Sequence, residues 1–215
     1  MNASRPTIYF IRHGETDWNL EGRLQGQRDI PLNDVGRVQA EEAGRRLQAI
    51  APHCEDLAYV ASPMTRTRET MELLRAVIGL HPESYKLDER LVELTFGSWE
   101  GLTWKEVRKA EPQAAAMRER DKWGYVPPGG GESYAMLAER VRSILDDVTR
   151  DTVIVSHGGV ARAFLALACG VSSRQAAGME PLEPTKLAGG PKAPELTQTA
   201  ERPAAPAGPT TAAGE

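Results

Sequence analysis

Cysteine is scarce in this 215-residue chain: only Cys54 and Cys169 occur, and no C-x-x-C spacing joins them. Neither a disulfide framework nor a thiolate zinc site is indicated, and both thiols are expected to stay reduced. Histidine is nearly as rare, with four copies. His53 and His81 stand in helix-to-strand connections beside no acidic cluster, so no metal centre and no other cofactor is expected. Positive charge is not in excess. With 26 Lys and Arg against 30 Asp and Glu, the formal net charge is −4, which leaves no general footprint for nucleic acid or an anionic membrane. Any anion site has to be local and built from few residues. Long apolar runs are missing too: nothing approaches the roughly 18 residues of a membrane-spanning helix, and MNASRPTIYFIRHG lacks the apolar centre of a signal peptide. The expected location is cytoplasmic.

What is present is ordinary for one globular core, 40% hydrophobic and 26% charged residues. Thr7 to Ile11 reads as a first strand, and Asn33-Asp34 as the N-cap of a helix reaching Ile50. Leu57 to Ala61 is a second strand. Met71, Leu74 and Ile78 recur at helical spacing, which predicts a helix from Met64 to about Gly79. Weaker patterns give a short strand at Tyr85 to Leu87 and a helix at Thr103 to Ala110. Pro127 to Gly131 is a loop without either G-x-G-x-x-G or Walker spacing. Tyr134, Leu137, Ala138, Val141, Ile144, Leu145 and Val148 then trace an amphipathic helix, followed by a strand at TVIVSHGG and a helix from Gly158 to Cys169. From Val171 onward the last 45 residues hold seven prolines and ten alanines and no aromatic residue. That composition predicts a disordered tail over 171–215.

Two junctions stand out. YFIRHGET, Tyr9 to Thr16, and TVIVSHGG, Thr152 to Gly159, each run a β-branched apolar strand into a histidine and then glycine. Buried strands of α/β proteins are near-continuous apolar runs, and ligands gather outside their carboxyl ends. His13 and His157 are thus expected at one edge of one sheet. A phosphate monoester carries about −1.5 to −2 charges and requires cationic donors. Arg12 and Arg66 are the leading candidates, with Arg68 next, because guanidinium forks bind phosphate in a bidentate manner. Gly158 and Gly159 would leave helix-start N–H groups open to an anion. Neutral His13 can accept a phosphoryl group while His157, Arg12 and Arg66 hold its oxygens. A carboxyl group is needed to protonate the leaving alcohol, and Glu93 in LVELTFGSWEG is the candidate, with Glu15, Glu89 and Glu100 as alternatives.

RHGETDWN (Arg12 to Asn19), SPMTRTRET (Ser62 to Thr70), ELTFGSWEG (Glu93 to Gly101), GGES (Gly130 to Ser133) and SHGG (Ser156 to Gly159) together resemble the histidine phosphatase superfamily, which includes the phosphoglycerate mutases and many small phosphatases. The motifs cover about residues 1–170. The resemblance implies a three-layer α/β/α sandwich and a phosphohistidine mechanism without metal. It implies His13 as nucleophile, Arg12, Arg66 and His157 as the phosphate pocket, and Glu93 as proton donor. It further implies phosphoryl contact for Asn19 and a place at the pocket rim for Gln25.

Two departures shape the expectation. The mutases carry a longer insertion after the Glu93 region than the stretch between Gly101 and GGES here, which favours a phosphatase. The family's final strand is not legible in 171–215, so the sheet is expected to lack an edge strand. The resulting reading is a metal-independent phosphomonoester hydrolase for a small phosphorylated metabolite. A mutase-type phosphotransferase and a non-catalytic phospho-ligand-binding protein remain as alternatives. Nucleic acid and membrane are not expected partners, and a homodimer is left open.

Overall fold

The computed structural model describes residues 6–179 and 185–188. A five-stranded sheet forms its middle layer, in the order β3-β2-β4-β1-β5. The strands are β1 (Thr7–Arg12), β2 (Ala58–Ala61), β3 (Lys86–Leu87), β4 (Thr152–Ser156) and β5 (Thr185–Ala188). The first four run parallel, and β5 lies antiparallel on the outer edge of β1. Eight α-helices accompany them among the described residues: α1 (Asp17–Leu20), α2 (Asp34–Ile50), α3 (Thr65–Val77), α4 (Trp104–Ala110), α5 (Pro112–Arg120), α6 (Tyr134–Asp147), α7 (Gly158–Ala168) and α8 (Ser173–Gly178).

Strand side chains alternate between faces, so each strand feeds two cores. Tyr9, Ile11, Tyr59, Ala61, Val153 and Val155 meet α2 and α3 on one face through Leu47, Met71 and Leu74. Ile8, Phe10 and Ile154 meet α6 and α7 on the other through Leu137, Val141, Val160 and Phe164. The result is the expected three-layer α/β/α sandwich. Small residues let its helices approach closely: a Cβ on Gly44 of α2 would stand 2.7 Å from the Leu74 carbonyl oxygen of α3. A third cluster, Leu24, Trp99, Val107 and Ala115, sits under α4 and α5.

Helix starts follow capping chemistry. Asn33 accepts from Gly36 N at 2.8 Å, Ser133 accepts from Met136 N at 3.2 Å, and Thr103 with Glu106 forms a capping box.

Four elements depart from the sequence reading, the first being the one-turn helix α1, which no apolar pattern announced. α5 was not expected; Pro112 starts it, but its buried positions are Ala115 and Arg118, so no apolar stripe announces it. α8 extends helical structure past residue 170, opened by a capping box of Ser172 and Gln175. The edge strand expected to be missing is β5, whose four residues pair Thr7 with Ala188 through Phe10 with Thr185. Backbone pairing needs no long apolar run, which is why its short sequence carried no strand pattern. The rest of the expected tail, 180–184 and 189–215, lies outside the described residues. No helix among the described residues is long and apolar enough to cross a membrane.

Candidate active site

β1 and β4 are neighbours in register, Arg12 opposite Ser156, and His13 N donates to Ser156 O at 2.9 Å. Both histidine rings therefore emerge at one sheet edge, with centroids 5.2 Å apart and planes tilted by 60°. They are buried, at 7% and 0% exposure. His13 Nδ1 lies 2.7 Å from the Gly14 carbonyl, which can only accept. Nδ1 thus carries the proton in the neutral ring, and Nε2 keeps its lone pair. His157 Nε2 meets the Ser62 hydroxyl at 2.9 Å, while its Nδ1 has no partner among the described residues. Burial first, then the nearby guanidiniums of Arg12 and Arg66, hold the His13 pKa well below the usual histidine range. His157 is lowered likewise, by burial and then by Arg66, His13 and Arg12. Gly14 is required where it stands: a Cβ there would overlap the Gly36 carbonyl of α2, and Gly14 N donates to Thr70 Oγ1 at 3.1 Å.

Arg66 enters from the first turn of α3, almost wholly buried, and donates through Nη1 to Arg28 O at 2.8 Å and through Nη2 to Gly26 O at 2.9 Å. Asp29 fixes that carbonyl-bearing loop by accepting from Thr65 N and Thr65 Oγ1 at 2.9 and 2.6 Å. Burial brings the Arg66 pKa down to about 10, with Glu93 opposing the shift. Arg12 is lowered by burial as well, again against Glu93. Among the described residues, the buried side-chain polar atoms without a partner are Arg12 Nε, Gln25 Oε1, Arg66 Nε and His157 Nδ1. All four belong to residues singled out by the sequence. Leaving buried polar groups unpaired is costly, so together they mark a place built for a polar ligand. Gln25, expected at the rim, is itself buried.

Glu93 arrives on the loop after β3. Arg140 of α6 holds that loop by donating Nη1 to Arg90 O and Val92 O at 2.6 and 2.9 Å, and pairs with Glu132 at 2.8 Å. The Glu93 carboxylate accepts from Leu94 N and from Gly159 N, both at 2.9 Å. The first turn of α7 therefore serves the protein's own carboxylate through Gly159, a correction to the expectation that both glycines stay open to an anion. Gly158 keeps the first N–H of the helix, where no intrahelical partner exists.

Two of the three alternative carboxylates are committed elsewhere. Glu100 Oε1 accepts from Gln27 N, Thr95 Oγ1 and Phe96 N, and Glu15 accepts from Asn33. Glu89 opens a short 3-10 turn at Glu89–Leu91. Asn19 uses its Oδ1 to close a capping box with Thr16, which leaves Nδ2 as the outward end of its amide. Arg68 is set apart from the site, 3.9 Å from Glu72. Sequence reasoning assigned no role to Ser62, Thr70, Arg140 or Arg162, although Ser62 and Thr70 bound one of the motifs. Among the described residues no group of three or more His, Cys, Asp or Glu could hold a metal ion.

The site can thus offer a neutral imidazole lone pair, converging N–H donors and a carboxylate on one anionic group. Residues 8–201 match the pattern of the histidine phosphatase superfamily, branch 1. A metal-independent phosphoserine phosphatase of Arabidopsis thaliana is 36% identical over 162 residues, 73% of this chain and 66% of that protein, so the match spans about two thirds of the relative's length. A glucosyl-3-phosphoglycerate phosphatase of Mycobacterium tuberculosis is 34% identical over 180 residues, 77% of this chain and 75% of the relative. The solved structure of mycobacterial glucosyl-3-phosphoglycerate phosphatase with VO3 superposes with a TM-score of 0.72 at 30% identity, over 86% of this chain and 92% of that one. Sequence pattern, fold and the paired strand-end histidines agree, and the chain belongs to the histidine phosphatase superfamily.

Proposed function

We propose that the protein hydrolyses a small phosphomonoester in two phosphoryl transfers through His13. The observation that carries this reading is the set of unpartnered buried nitrogens on Arg12, Arg66 and His157, beside a histidine whose tautomer exposes a lone pair. The phosphatase names of relatives at 36% and 34% identity point the same way.

In the first transfer His13 Nε2 attacks phosphorus, the P–O ester bond breaks, and the leaving oxygen takes the proton of Glu93. Arg12, Arg66 and His157 Nδ1 donate to the equatorial oxygens as charge builds there. His157 is suited to donate because Ser62 can supply its hydroxyl proton to Nε2, leaving the ring proton on Nδ1. In the second transfer Glu93 takes a proton from water, the hydroxide attacks the phosphohistidine, and inorganic phosphate leaves with His13 restored.

None of these steps calls on a metal, in keeping with the metal-independent relative. The test is hydrolysis of an aryl phosphate with a chelator present, by the parent and by His13→Ala. Retained activity in the parent and its loss in the variant, with an acid-labile phosphohistidine trapped only in the parent, is the expected outcome. Activity that survives in His13→Ala refutes the mechanism.

A further inference from the structure

The sheet is incomplete at its β3 edge. β2 has four residues and β3 only two, and their pairing is confined to Val60 with Lys86 and Ala61 with Leu87. The first half of β2 therefore has no strand beside it on that side among the described residues. At this corner, by the strand starts Ala58 and Thr152, a cavity of about 910 Å³ opens. It reaches around the sheet edge, touching Tyr59 of one core and Ile154 of the other. Its volume suits a small organic ligand. None of Arg12, His13, Arg66, Glu93 or His157 lines it. Arg66 and the cavity's Arg75 lie at opposite ends of α3, about 14 Å apart along the helix axis.

Arg75 is a buried charge that the phosphoryl chemistry does not use. It is 5% exposed, its guanidinium carbon stands 4.4 Å over the Tyr59 ring, and its Nε donates to His81 O at 2.9 Å. Nη1 and Nη2 have no partner among the described residues, and neither is among the polar atoms sealed from solvent, so the cavity reaches them. Burial lowers the Arg75 pKa, and the groups that oppose the shift are Tyr59 and Tyr85, with no carboxylate. A ring face and one carbonyl compensate only in part for taking a guanidinium out of water.

The rest of the lining repeats the imbalance. Arg90 is held by Asp88 and Asp147 at 2.6 and 2.7 Å. Lys86 and Arg150 line the cavity with no ion pair among the described residues. The remaining acid of the lining, Glu55, turns to His53 at 3.8 Å.

We propose that this cavity is a second ligand site, for an organic diphosphate: Arg75, Lys86 and Arg150 hold the phosphates, and Leu57, Leu80 and Val148 cover the body. Two guanidinium forks and an ammonium match negative charge spread over two phosphates, whereas a lone carboxylate uses a single fork. The site stands independently of the phosphatase reading.

The experiment titrates the nitrogen-15-labelled full chain, with a chelator present, with ADP, pyrophosphate or adenosine, and follows backbone amide shifts by NMR. ADP and pyrophosphate are expected to move Tyr59, Tyr85, Lys86 and Thr152, ADP at the lower concentration, while adenosine moves none of them over the same range. Arg75→Met and the double variant Lys86→Met/Arg150→Met are each expected to raise the Kd read from these shifts about 10–100-fold for ADP. Any shifts of Gly14 and Gly158, which report phosphate reaching the candidate active site, are expected to be the same in parent and variants. Shifts confined to Gly14 and Gly158 overturn the proposal, as does adenosine binding as tightly as ADP. Parental ADP affinity in either variant overturns it too. Lys86 and Arg150 are exposed, so the double variant decides the matter if Arg75→Met fails to fold.

Discussion

The single bond from His13 Nδ1 to the Gly14 carbonyl decides which nitrogen can attack, and burial decides that the ring is neutral when it does. That second decision has a cost in acid. In the unfolded chain both imidazoles take up protons near pH 6.5, whereas in the fold His13 and His157 do so well below it. Between those values the unfolded state binds more protons, so stability is full above about pH 6.5 and falls as pH drops, by up to about 1.4 kcal/mol per pH unit for each histidine. Urea unfolding at pH 7 and pH 5.5 measures the fall, and a His13→Asn/His157→Asn double variant is expected to show a much flatter profile. Equal slopes in parent and variant refute the assignment. At this scale the sequence was readable where chemistry followed a strand end, as at Arg12, His13 and His157. Ser62, Thr70 and Arg140 act on partners 95, 56 and 50 positions away, and no local pattern encodes such distances.

Elements, more than side chains, set the proposed acid-base group in place. The first turn of α7 donates Gly159 N to Glu93, and the same glycine leaves the space that the carboxylate occupies. A Cβ at position 159 would overlap Glu93 Oε1 and stand 2.5 Å from Leu94 Cδ2. Gly159→Ala is therefore expected to displace Glu93 and cut kcat for an alkyl phosphate on the order of 100-fold. An aryl phosphate, whose leaving group departs without a proton, is expected to lose far less. Equal losses on the two substrates, read from steady-state kinetics, count against Glu93 as the proton donor. Helices α3 and α6 could be read because one apolar stripe repeats at helical spacing in each, and α2 because Asn33-Asp34 caps it. α5 could not, since a charged residue, Arg118, fills one of its two buried positions.

Across the whole molecule, positive groups outnumber negative ones at the candidate site while the chain as a whole carries −4. Arg12 and Arg66 each lower the pKa of His13 and of His157, and Arg162 adds to the load on Arg12. A bound oxyanion relieves that repulsion. Orthovanadate at about 100 times its dissociation constant is expected to add about 2.7 kcal/mol, a rise of roughly 5–10 °C in melting temperature for a chain of this size. Thermal melts with and without vanadate test this, and Arg12→Gln is expected to blunt the rise; a parent melting point indifferent to vanadate speaks against an oxyanion site.

The parallel pairing of β1 with β4 has one more consequence. Thr7 and Asp151, hydrogen-bonded across that pair, stand 144 positions apart, so the edge that carries both histidines closes only when nearly the whole domain has been made. Pairings this distant form late, after the entropy of closing a long loop has been met. On the ribosome, a chain that has released His13 but not yet His157 has the proposed nucleophile without the proposed phosphate pocket. On the proposed mechanism the capacity to form phosphohistidine is tied to completed synthesis, and its first appearance during translation would time the docking of β4 beside β1.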